Sequence, residues 1–589
     1  MSNNDIYVLG TGLSHDGSAC ILKNGKIAVA IEKERITRVK HDGLNDSVAI
    51  QYCLDALGIT LKDIAVVVQN ANYSNLPQGN GYFEGERLFL HQPDIPVVSI
   101  SHHLAHAYSC IGTSPFEGDF GILVVDGCGS SYDDCTDLQA QTRFPRDEIV
   151  SGLEHLFYEK DSYYIWRDGR CETLNKDFSP WGIGLKGWSF SPRNTLHSIG
   201  GVYQGASLYC LGNLDDVGKL MGLGPYGRGG VYSEEIFSLR DSRVFVDYDV
   251  LSNFRQPIRS YQDLVDDSQY YADIAYWVQR EIERALQYVV SSRLEQAPCQ
   301  DLCFTGGVAL NAVANREILL NTGAERLYMQ PAAGDNGLAI GCAYYGWLEV
   351  LKKERILHDQ NTCFGISYDD EDIEKQLGIH PNQTSPRSLL GGLFSGKASE
   401  RELSDLVVTK TDAYIDRAAE HLLDGKVIAW FQGGSEFGPR ALGHRSILAD
   451  PRRHDVRDYI NAEIKEREDF RPFAPSVLAE CVEDIFIHGF ASPYMILVDK
   501  IKPEWRDKVP AIVHQDGSCR VQTVTPEWNN AYYKLLQSFE RLSGVPMLLN
   551  TSFNKRGMPI VETPFDAIDF FRKSKLDVLI IEDYVVTKR

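Results

Sequence analysis

Apolar and polar residues alternate along residues 6–35 in the pattern typical of short β-strands. Three runs, IYVLGTG, SACILK and KIAVAIEKER, are separated first by a loop and then by Asn24-Gly25. Asn-Gly between alternating apolar runs is a strong hairpin signal, because both residues adopt the positive φ angles that a tight turn requires. An amphipathic helix follows, and Gly58 is a typical helix stop. The opening therefore predicts a strand, a β-hairpin and a helix.

Residues 119–174 repeat this opening more loosely. DFGILVVDGCGSS predicts a strand and a glycine-containing loop, and YYIWR and RCETL flank a second hairpin turn at Asp168-Gly169. Apolar residues recur at helical spacing along 267–295, which indicates a long core helix. Strand DLCFTGG, a helix from about Val308, strand RLYMQ and the loop PAAGDNG follow. A duplicated strand-and-hairpin unit with glycine loops at corresponding places resembles the actin, hexokinase and Hsp70 type of nucleotide-binding fold, whose loops bind phosphates.

A second α/β region follows a stretch at 379–400 that is rich in Pro, Ser and Gly and is typical of a linker. Beyond it we predict a helix around 411–424, the helix VRDYINAEI, and the strands VIAWF, APSVL, VPMLLN and VLIIE. We also predict a hairpin in which AIVH pairs with CRVQTV across the turn QDGS. The chain exceeds the size of one core, so we predict one domain over residues 1–378, the linker, and a second domain over residues 401–589.

Charge and cysteine content narrow the class of protein. The 589 residues carry a formal net charge of −22, which argues against general binding to nucleic acid or to an anionic membrane. The 13 cysteines include no CxxC pair, so they indicate neither a zinc ribbon nor a disulfide framework. The start MSNNDIYVLGTG has neither a basic leader nor an apolar segment, and no uninterrupted apolar stretch approaches about 18 residues. We expect a cytoplasmic protein.

Positive charge is concentrated in one short part of this acidic chain, in the runs GGSEFGPRALGHRSILADPR and KEREDFRPFAPS. Glycine lets backbone amides approach a ligand closely, and guanidinium groups match phosphate oxygens. The pattern predicts a pocket for phosphate or an acyl phosphate. A solvated charged face is the alternative, which is disfavoured because Pro, Gly and Phe interrupt the charges. The basic residues are Arg440, His444, Arg445, Lys465, Arg467 and Arg471, and the glycines are Gly433, Gly434, Gly438 and Gly443.

Four residues are candidate metal ligands. His102 and His106 are four apart in SHHLAHAYS, so on a helix both imidazoles project from one face, while His103 points elsewhere. Asp126 and Asp335 occupy two glycine-flanked strand-end loops of the predicted nucleotide cleft. Two imidazoles with two carboxylates suit Fe, Mn or Zn better than Mg²⁺, which prefers oxygen ligands. A purely structural pair of histidines is the alternative.

Other residues in the glycine loops are candidates for nucleotide contacts. His15 lies in GLSHDGSA, where it can contact a phosphate or act as an acid or base, and a histidine that only stabilises a turn is the alternative. Gly306 and Gly307 in FTGGVALN are placed where backbone can pass close to an adenosine, and GDNG is a similar loop. Each motif is weak alone, so the prediction depends on their order and spacing.

A set of ordered motifs resembles one family. The motifs are GLSHDGSA, HHLAHA, VVDGCG, GKLMGLGPYG, FTGGVALN, GDNGLAIG, FGPRALGHRSILADPR, FRPFAPSVL, RVQTV and NTSFN, and they extend from about residue 6 to residue 585. On these motifs the chain resembles the O-carbamoyltransferase family of the NodU, CmcH and tobramycin carbamoyltransferase type. The resemblance implies an actin/Hsp70-like (ribonuclease H-like duplicated) ATPase-fold domain, similar to threonylcarbamoyl-transferring proteins, followed by a YrdC-like α/β domain.

The resemblance also implies a reaction and roles for particular residues. Carbamoyl phosphate would be cleaved to carbamate in the second domain, ATP would convert carbamate to carbamoyl adenylate in the first, and a hydroxyl of a small-molecule natural product would accept the carbamoyl group. One implied cofactor is ATP, which Mg²⁺ would accompany. The other is a divalent transition metal, with Fe(II) as the leading candidate, bound by His102, His106, Asp126 and Asp335. The implied catalytic residues are His15, Arg440 and Arg471, and the implied ligand-binding residues are Gly306, Gly307, Asn311, Gly334, Asn336, Arg445, Lys465, Arg520, Asn550 and Asn554.

The chain departs from the family pattern in DGCGSSYDDC, where Ser130 follows the second glycine and the family commonly has an acidic residue. The net charge, with Asp133, Asp134 and Asp137 in this segment, leads us to expect a cationic acceptor, and solubility is the alternative reason for the charge. Two other functions stay open: carbamoyl transfer to a protein thiol in hydrogenase maturation, and a non-catalytic ATP-binding scaffold of a tRNA-modification type of complex. The expected partners are carbamoyl phosphate and the acceptor, without nucleic acid or membrane, and a homodimer stays open.

Overall fold

Three sheets organise the part of the chain that the structure describes. The computed structural model describes residues 5–12, 14–43, 46–70, 95–139, 143–180, 198–252, 254, 257–378 and 405–589. The predicted linker at 379–400 lies outside these residues. None of the described helices combines the length and the apolar character required to cross a bilayer.

The first sheet grows from the hairpin that the opening residues predict. Its strands are β1 (Tyr7–Gly12), β2 (Ser18–Lys23), β3 (Lys26–Glu32), β4 (Ile64–Asn70) and β5 (Val97–Ile100). The spatial order is β3-β2-β1-β4-β5, with β1 to β3 antiparallel and β4 and β5 added in parallel. Asn24 and Gly25 have φ angles of 52° and 82°, so the turn between β2 and β3 is the predicted one.

The second sheet repeats this arrangement. Its strands are β6 (Phe120–Val125), β7 (Phe157–Arg167), β8 (Arg170–Pro180), β11 (Asp301–Thr305) and β12 (Arg326–Tyr328), and the ribbon of β9 (Phe237–Arg240) and β10 (Arg243–Val246) lies outside it. Its order is β12-β11-β6-β7-β8, with β6 to β8 antiparallel and β11 and β12 parallel to β6. Order and strand directions thus match those of the first sheet. This defines a duplicated ribonuclease H-like fold of the actin and Hsp70 type and confirms the predicted duplication.

Two helices pack together so closely that their relative position is fixed. A Cβ on Gly341 in α10 would lie 1.7 Å from the carbonyl oxygen of Ala105 in α3, and a Cβ on Gly10 in β1 would lie 2.0 Å from that of Ala339. Only glycine permits this approach. The helices of this region are α1 (Lys33–Thr37), α2 (Ser47–Leu57), α3 (His102–Thr113), α4 (Ile199–Leu211), α5 (Val217–Leu223), α6 (Tyr248–Ser252), α7 (Tyr261–Asp266), α8 (Ser268–Gln296), α9 (Ala312–Asn321), α10 (Leu338–Tyr345) and α11 (Asp370–Gln376).

The C-terminal region is a mixed nine-stranded sheet with helices on its faces. The sheet contains β13 (Leu406–Lys410), β14 (Ile428–Phe431), β15 (Arg445–Ala449), β16 (Ala474–Leu478), β17 (Leu497–Lys500), β18 (Ser518–Val524), β19 (Met547–Ser552), β20 (Val578–Ile581) and β21 (Tyr584–Lys588). Its order is β13-β21-β20-β14-β15-β19-β16-β18-β17. The helices are α12 (Tyr414–Leu423), α13 (Val456–Tyr459), α14 (Val482–Ile485), α15 (Pro503–Arg506), α16 (Asn530–Ser543) and α17 (Pro564–Lys573).

The C-terminal region has an apolar core of its own, and some of its residues also pack into the core of the duplicated fold. Phe437, Leu442 and Tyr494 of the C-terminal region are buried in the same cluster as the strands and helices of the duplicated fold. Burial of apolar side chains from both sides favours a fixed relative placement. The interface between the regions is therefore part of the folded core.

Two local predictions are wrong, and one predicted helix is irregular. The segment AIVH does not pair with CRVQTV: Pro510–Ile512 form a 3-10 turn, the backbone N–H of Ala511 donates to the carbonyl oxygen of Pro451, and β18 pairs with β17 instead. The helix expected from Val308 begins at Ala312, because the side chain of Asn311 accepts a hydrogen bond from Ala314 and caps it there. The segment VRDYINAEI is helical, but its geometry changes along its length. The α-helix α13 continues directly into a π-helical turn over Ile460–Lys465.

Candidate active site: a cavity between the two regions

The predicted metal ligands converge at the start of α3. His102 and His106 lie one turn apart on α3, Asp126 directly follows β6, and Asp335 lies just before α10. The close packing of α3 against α10 brings Asp335 to the two imidazoles. All four side chains are buried, and their ligand atoms lie within 4.8 Å of one another.

Distances within this cluster show that the donor atoms face a common point. Nε2 of His102 lies 3.0 Å from Oδ2 of Asp126 and 3.4 Å from Oδ1 of Asp335. Nε2 of His106 lies 3.3 Å and 3.7 Å from the same two atoms, and 3.0 Å from Nε2 of His102. Two imidazole nitrogens and two carboxylate oxygens in this arrangement fit a divalent transition metal.

Charge inside the cluster is balanced. Burial lowers the pKa of His102, but Asp335 and Asp126 outweigh burial and raise it to about 10. Burial opposes ionisation of Asp126 and Asp335, but the adjacent imidazoles hold the pKa of both carboxyls below the ordinary range. The carboxylates are therefore ionised at neutral pH and available as ligands.

A buried network orients the first turn of α3. Oγ of Ser130 accepts a hydrogen bond from the backbone N–H of His102 at 2.9 Å. Oε2 of Glu159 accepts the N–H groups of Ser130 and His103 at 2.9 Å and 3.2 Å, and Lys176 is ion-paired with Glu159. Ser130, where the chain departs from the family pattern, thus supports a metal ligand through the backbone. His103 points away from the cluster, as predicted, and contacts Ser162 Oγ through Nδ1 at 2.8 Å.

His15 lies beside this cluster. Its Nδ1 is 3.3 Å from Oδ2 of Asp335, and its Nε2 is 3.4 Å from Oδ2 of Asp16. Burial lowers the pKa of His15, but the carboxylates of Asp16 and Asp335 outweigh burial and raise it to about 10. A protonated imidazole is a hydrogen-bond donor, so His15 is suited to stabilise negative charge rather than to accept a proton.

One cavity of about 1520 Å³ joins this cluster to the basic residues of the C-terminal region. His15, Asp126 and Asp335 line one end, and Arg440, Lys465, Arg471, Arg520, Asn550 and Asn554 line the other. The structure therefore brings together residues that are hundreds of positions apart in sequence. We call the two parts the histidine end and the cationic end.

The glycine loops are divided between the cavity and the protein interior. Gly307, Asn311 and Gly334 line the cavity, as a nucleotide site requires. Gly306 does not line it: its φ is 91°, and a Cβ there would lie 2.3 Å from the carbonyl oxygen of Val125. Asn336 does not line it either, because its amide donates to Oε1 of Glu32 at 2.9 Å. In this structure Gly306 permits close backbone packing and Asn336 makes an internal contact, and their assignment as ligand-binding residues stays a prediction.

The cationic end carries charge without an equal number of carboxylates. Burial, and then repulsion from neighbouring guanidinium groups, lowers the pKa of Arg440, Lys465 and Arg520. Lys465 is 2% exposed and donates to the backbone and side-chain oxygens of Asn554, both at 2.9 Å. Like charges held together in a buried site are stabilised by an anion. This end is therefore an anion site.

Arg445 does not belong to this anion site. It is absent from the cavity wall and fully buried, with its guanidinium 3.4 Å from the centroid of the Phe431 ring. It donates to the carbonyl oxygens of Gln432 and Gly433 at 3.0 Å and 2.9 Å. The guanidinium of Arg445 therefore contacts backbone carbonyl oxygens and an aromatic ring, and not the anion site. Arg467, which the basic run placed in the predicted phosphate pocket, lines the cavity.

The acidic residues at the cavity are not those we expected. Asp133 and Asp134 do not line it, and Asp137 is buried in an ion pair with Lys176 at 3.0 Å. The carboxylates that do line the cavity come from other elements. They are Asp16, Glu34, Asp126, Asp215, Asp216, Glu283, Glu317, Asp335 and Asp516. The prediction that Asp133, Asp134 and Asp137 line the cavity is wrong. These residues follow the DGCG loop in sequence, but their segment packs against β7 and β8 instead of facing the cavity.

The strand order defines the class of protein: an actin- and Hsp70-like ATPase fold joined to a second α/β region. The family description Carbamoyltransferase N-terminus matches residues 8–75 and 83–344, and Carbamoyltransferase C-terminus matches residues 419–588. The chain therefore belongs to the carbamoyltransferase family and is a carbamoyltransferase enzyme, as the ordered motifs predicted.

Relatives extend over nearly the whole chain. An uncharacterized protein of Synechocystis sp. is 31% identical, with 99% of this chain and 97% of that protein covered. Nodulation protein NolNO of Sinorhizobium fredii is 31% identical, with 98% and 79% covered. Among solved structures, HypF of T. kodakarensis matches with a TM-score of 0.36 and 14% identity, over 59% of this chain and 48% of that chain. The fold class rests on the strand order, and family membership rests on the sequence matches.

Proposed function

We propose that this enzyme is an ATP-dependent O-carbamoyltransferase that takes the carbamoyl group from carbamoyl phosphate and transfers it to a hydroxyl of a small molecule. The observation that carries the proposal is the single cavity with a cationic end and a histidine end. Carbamoyl phosphate is a dianion, and the cationic end offers more positive charge than its own carboxylates balance. The two ends suit two consecutive reactions.

The first reaction is assigned to the cationic end. Carbamoyl phosphate and water would give carbamate, inorganic phosphate and a proton, with cleavage of the bond between the acyl group and phosphate. Arg440, Lys465, Arg471 and Arg520 would neutralise the phosphoryl oxygens, since charge-assisted hydrogen bonds from guanidinium groups are the strongest available to phosphate. Asn550, which donates to Ser476 Oγ and to Gln522 Oε1 at 3.0 Å each, would hold this wall of the pocket in place.

The second reaction is assigned to the histidine end. Carbamate and ATP would give carbamoyl adenylate and pyrophosphate, and an acceptor hydroxyl would then attack the carbamoyl carbon and release AMP and a proton. Gly307, Asn311 and Gly334 would contact the nucleotide, and protonated His15 would donate to an oxygen of the reacting group. A divalent transition metal held by His102, His106, Asp126 and Asp335 would supply Lewis-acid polarisation of that oxygen. Fe(II) is the first candidate, and Mg²⁺ would accompany ATP.

The continuous connection between the ends supports this order of reactions. Carbamate decomposes in water to ammonia and carbon dioxide, so a path that excludes bulk water protects it. Both ends line the same cavity, and apolar packing between the two regions holds them together. We infer two functional domains, residues 1–378 for adenylation and transfer and residues 401–589 for carbamoyl phosphate cleavage.

The acceptor is proposed as a hydroxylated natural product with a cationic group, because the carboxylates of Asp215, Asp216 and Glu283 line the cavity. Neighbouring cations partly offset them: Asp216 is ion-paired with Lys219 at 2.6 Å and Glu283 with Arg280 at 2.5 Å. A salt titration tests this proposal: a steep rise of the acceptor KM with ionic strength supports it, and a flat response contradicts it.

The test of function is product analysis with the purified chain. Carbamoyl phosphate, ATP, Mg²⁺ and each of Fe(II), Mn²⁺ and Zn²⁺ are mixed with cationic, neutral and anionic polyols, and with a cysteine peptide. Formation of AMP, pyrophosphate and an acceptor heavier by one carbamoyl group supports the proposal. Release of ADP instead of AMP contradicts the adenylate route, carbamoylation of the peptide alone favours thiol transfer, and nucleotide binding without turnover favours a scaffold.

A further inference from the structure

Glu32 touches loops from both ends of the cavity. It is the last residue of β3, 4% exposed, and lies at the junction between β3 and α1. Its Oε1 accepts the side-chain amide of Asn336 at 2.9 Å and the backbone N–H of Gly438 at 2.9 Å. Asn336 directly follows the candidate metal ligand Asp335, and Gly438 lies two residues before Arg440. A single carboxylate oxygen therefore connects the two half-sites.

Arg35 also binds Gly438. Its Nη2 donates to the carbonyl oxygen of Gly438 at 2.8 Å, and its Nε lies 2.9 Å from Oε2 of Glu32. Both polar groups of the Gly438 residue are thus held from the first region, by side chains that are 4% and 1% exposed. Charge-assisted hydrogen bonds are stronger than neutral ones, and in a buried site they are not exchanged for water.

The basic loop passes close to the Pro331 loop at Gly438. Gly438 has a φ of 118°, and a Cβ there would lie 3.1 Å from the carbonyl oxygen of Pro331, in the loop that leads to Asp335. The two loops therefore lie against each other as well as against Glu32. A displacement of the Gly438 backbone would shift the basic loop relative to the loop of Asp335 and disturb the shared contact with Glu32.

We propose that Glu32 is a positioning residue that holds the carbamoyl phosphate loop in register with the metal and nucleotide loop, so that carbamate formed at one end is consumed at the other. This inference deepens the proposed function and rests on it. Glu32 does not line the cavity, so it acts through Asn336 and Gly438 rather than on a substrate. Its effect is expected on the coupling between the two reactions more than on either reaction alone.

The experiment measures coupling without a known acceptor. Phosphate released from carbamoyl phosphate reports the first reaction, and pyrophosphate released from ATP in the same mixture reports capture of carbamate. Pyrophosphate release with ammonium bicarbonate, which contains carbamate at equilibrium, reports the second reaction alone. The pyrophosphate-to-phosphate ratio in the first turnover is the measure of coupling.

Burial raises the pKa of Glu32 to about 7, although Arg35 opposes this, so the carboxyl is ionised in part at neutral pH. For Glu32→Gln we expect a fall of roughly tenfold in this ratio, because the variant loses the ion pair with Arg35 and weakens the two hydrogen bonds that Oε1 accepts. Phosphate release, and pyrophosphate release with ammonium bicarbonate, should each stay within about threefold of the unmodified protein, since no group that lines the cavity is changed. Asn336→Ala removes only one contact of Glu32, so it should give a smaller fall and remains informative if Glu32→Gln does not fold.

Tyr52→Phe is the matched control. Tyr52 donates to Oε1 of Glu562 at 2.7 Å across the same interface but contacts neither Asn336 nor Gly438. It should lower the melting temperature without lowering the ratio. An unchanged ratio in Glu32→Gln, an equal fall in Tyr52→Phe, or a parallel loss of both separate reactions would each overturn the inference. If the unmodified protein releases no pyrophosphate with either carbamate source, the proposed function itself fails.

Discussion

The two ends of the cavity differ in how their charged side chains are compensated. At the histidine end, the imidazoles of His102 and His106 lie 3.0–3.7 Å from the carboxylates of Asp126 and Asp335, so polar partners within the protein face these carboxylates. At the cationic end, burial, and then repulsion from neighbouring guanidinium groups, lowers the pKa of Arg440, Lys465 and Arg520. The first end is organised by its own side chains, and the second is electrostatically complete only when an anion is bound. This difference is consistent with a proposed carbamoyl phosphate site that is completed by the bound anion rather than by the protein.

The largest effect is expected from removing a cation that the anion requires. Arg440→Ala and Arg471→Ala should each lower phosphate release from carbamoyl phosphate by about 10²–10³-fold, because each removes a donor to developing negative charge. Transfer from synthetic carbamoyl adenylate should be retained. Arg445→Lys is the control within the same run of sequence, because Arg445 contacts backbone carbonyls and not the cavity. An equal loss of phosphate release and of transfer from carbamoyl adenylate would contradict the assignment of one reaction to each end.

Loss of both histidines should remove the metal but leave the anion site intact. His102→Ala with His106→Ala should weaken binding of a transition metal by more than about 100-fold, since even the partners of metal ligands are worth 10–100-fold. Metal content by mass spectrometry and phosphate release from carbamoyl phosphate are measured together. His454→Ala, at an exposed histidine, serves as control. Unchanged metal content in the double variant would leave the histidines as structural residues.

Anion binding should stabilise the fold through the cationic end. Phosphate at about 100 times its dissociation constant should add about 2.7 kcal/mol to the free energy of unfolding, since it binds the folded state. Arg520→Met should raise the melting temperature without phosphate, because repulsion falls, and should reduce the gain on adding phosphate. A larger gain in the variant than in the unmodified protein would contradict an unbalanced cationic end.

The smallest effect is a pH dependence at the support of the histidine end. Burial lowers the pKa of His103 to about 3, so the folded state prefers the neutral imidazole. Its contribution to stability is complete above the unfolded pKa near 6.5 and is lost as pH falls towards 3, about 2 kcal/mol between pH 6.5 and pH 5. His103→Asn should flatten the melting temperature over that interval. An unchanged slope would show that other groups titrate there.

Sequence predicted the features that depend on local spacing. The hairpins at Asn24-Gly25 and Asp168-Gly169 are set by the conformations that these residues favour, and the i, i+4 spacing of His102 and His106 places both on one face of α3. Asp126 and Asp335 were predicted because carboxylates at strand ends meet at one edge of a sheet.

The sequence does not predict contacts between side chains and residues that are distant along the chain. Arg445 and Arg440 lie in the same basic motif, yet one binds backbone carbonyls beside Phe431 and the other lines the cavity. Glu32 reads as an ordinary residue at the end of a strand, and its role emerges only where Asn336 and Gly438 meet. The pairing of β18 with β17 was missed for the same reason, because a local turn signal at QDGS does not reveal a competing strand.

The π-helical turn over Ile460–Lys465 has a consequence for how the anion site can be gained or lost. Such a turn contains one residue more than an α-helix would, and here it ends at Lys465, with Glu466 at a φ of 50°. Deleting one residue within the turn would restore regular helix and rotate Lys465 by about 100°. The cation would leave the cavity although every residue type that contacts it is unchanged. Length variation in this turn, rather than substitution, is therefore the change to examine when the site is compared across distant relatives.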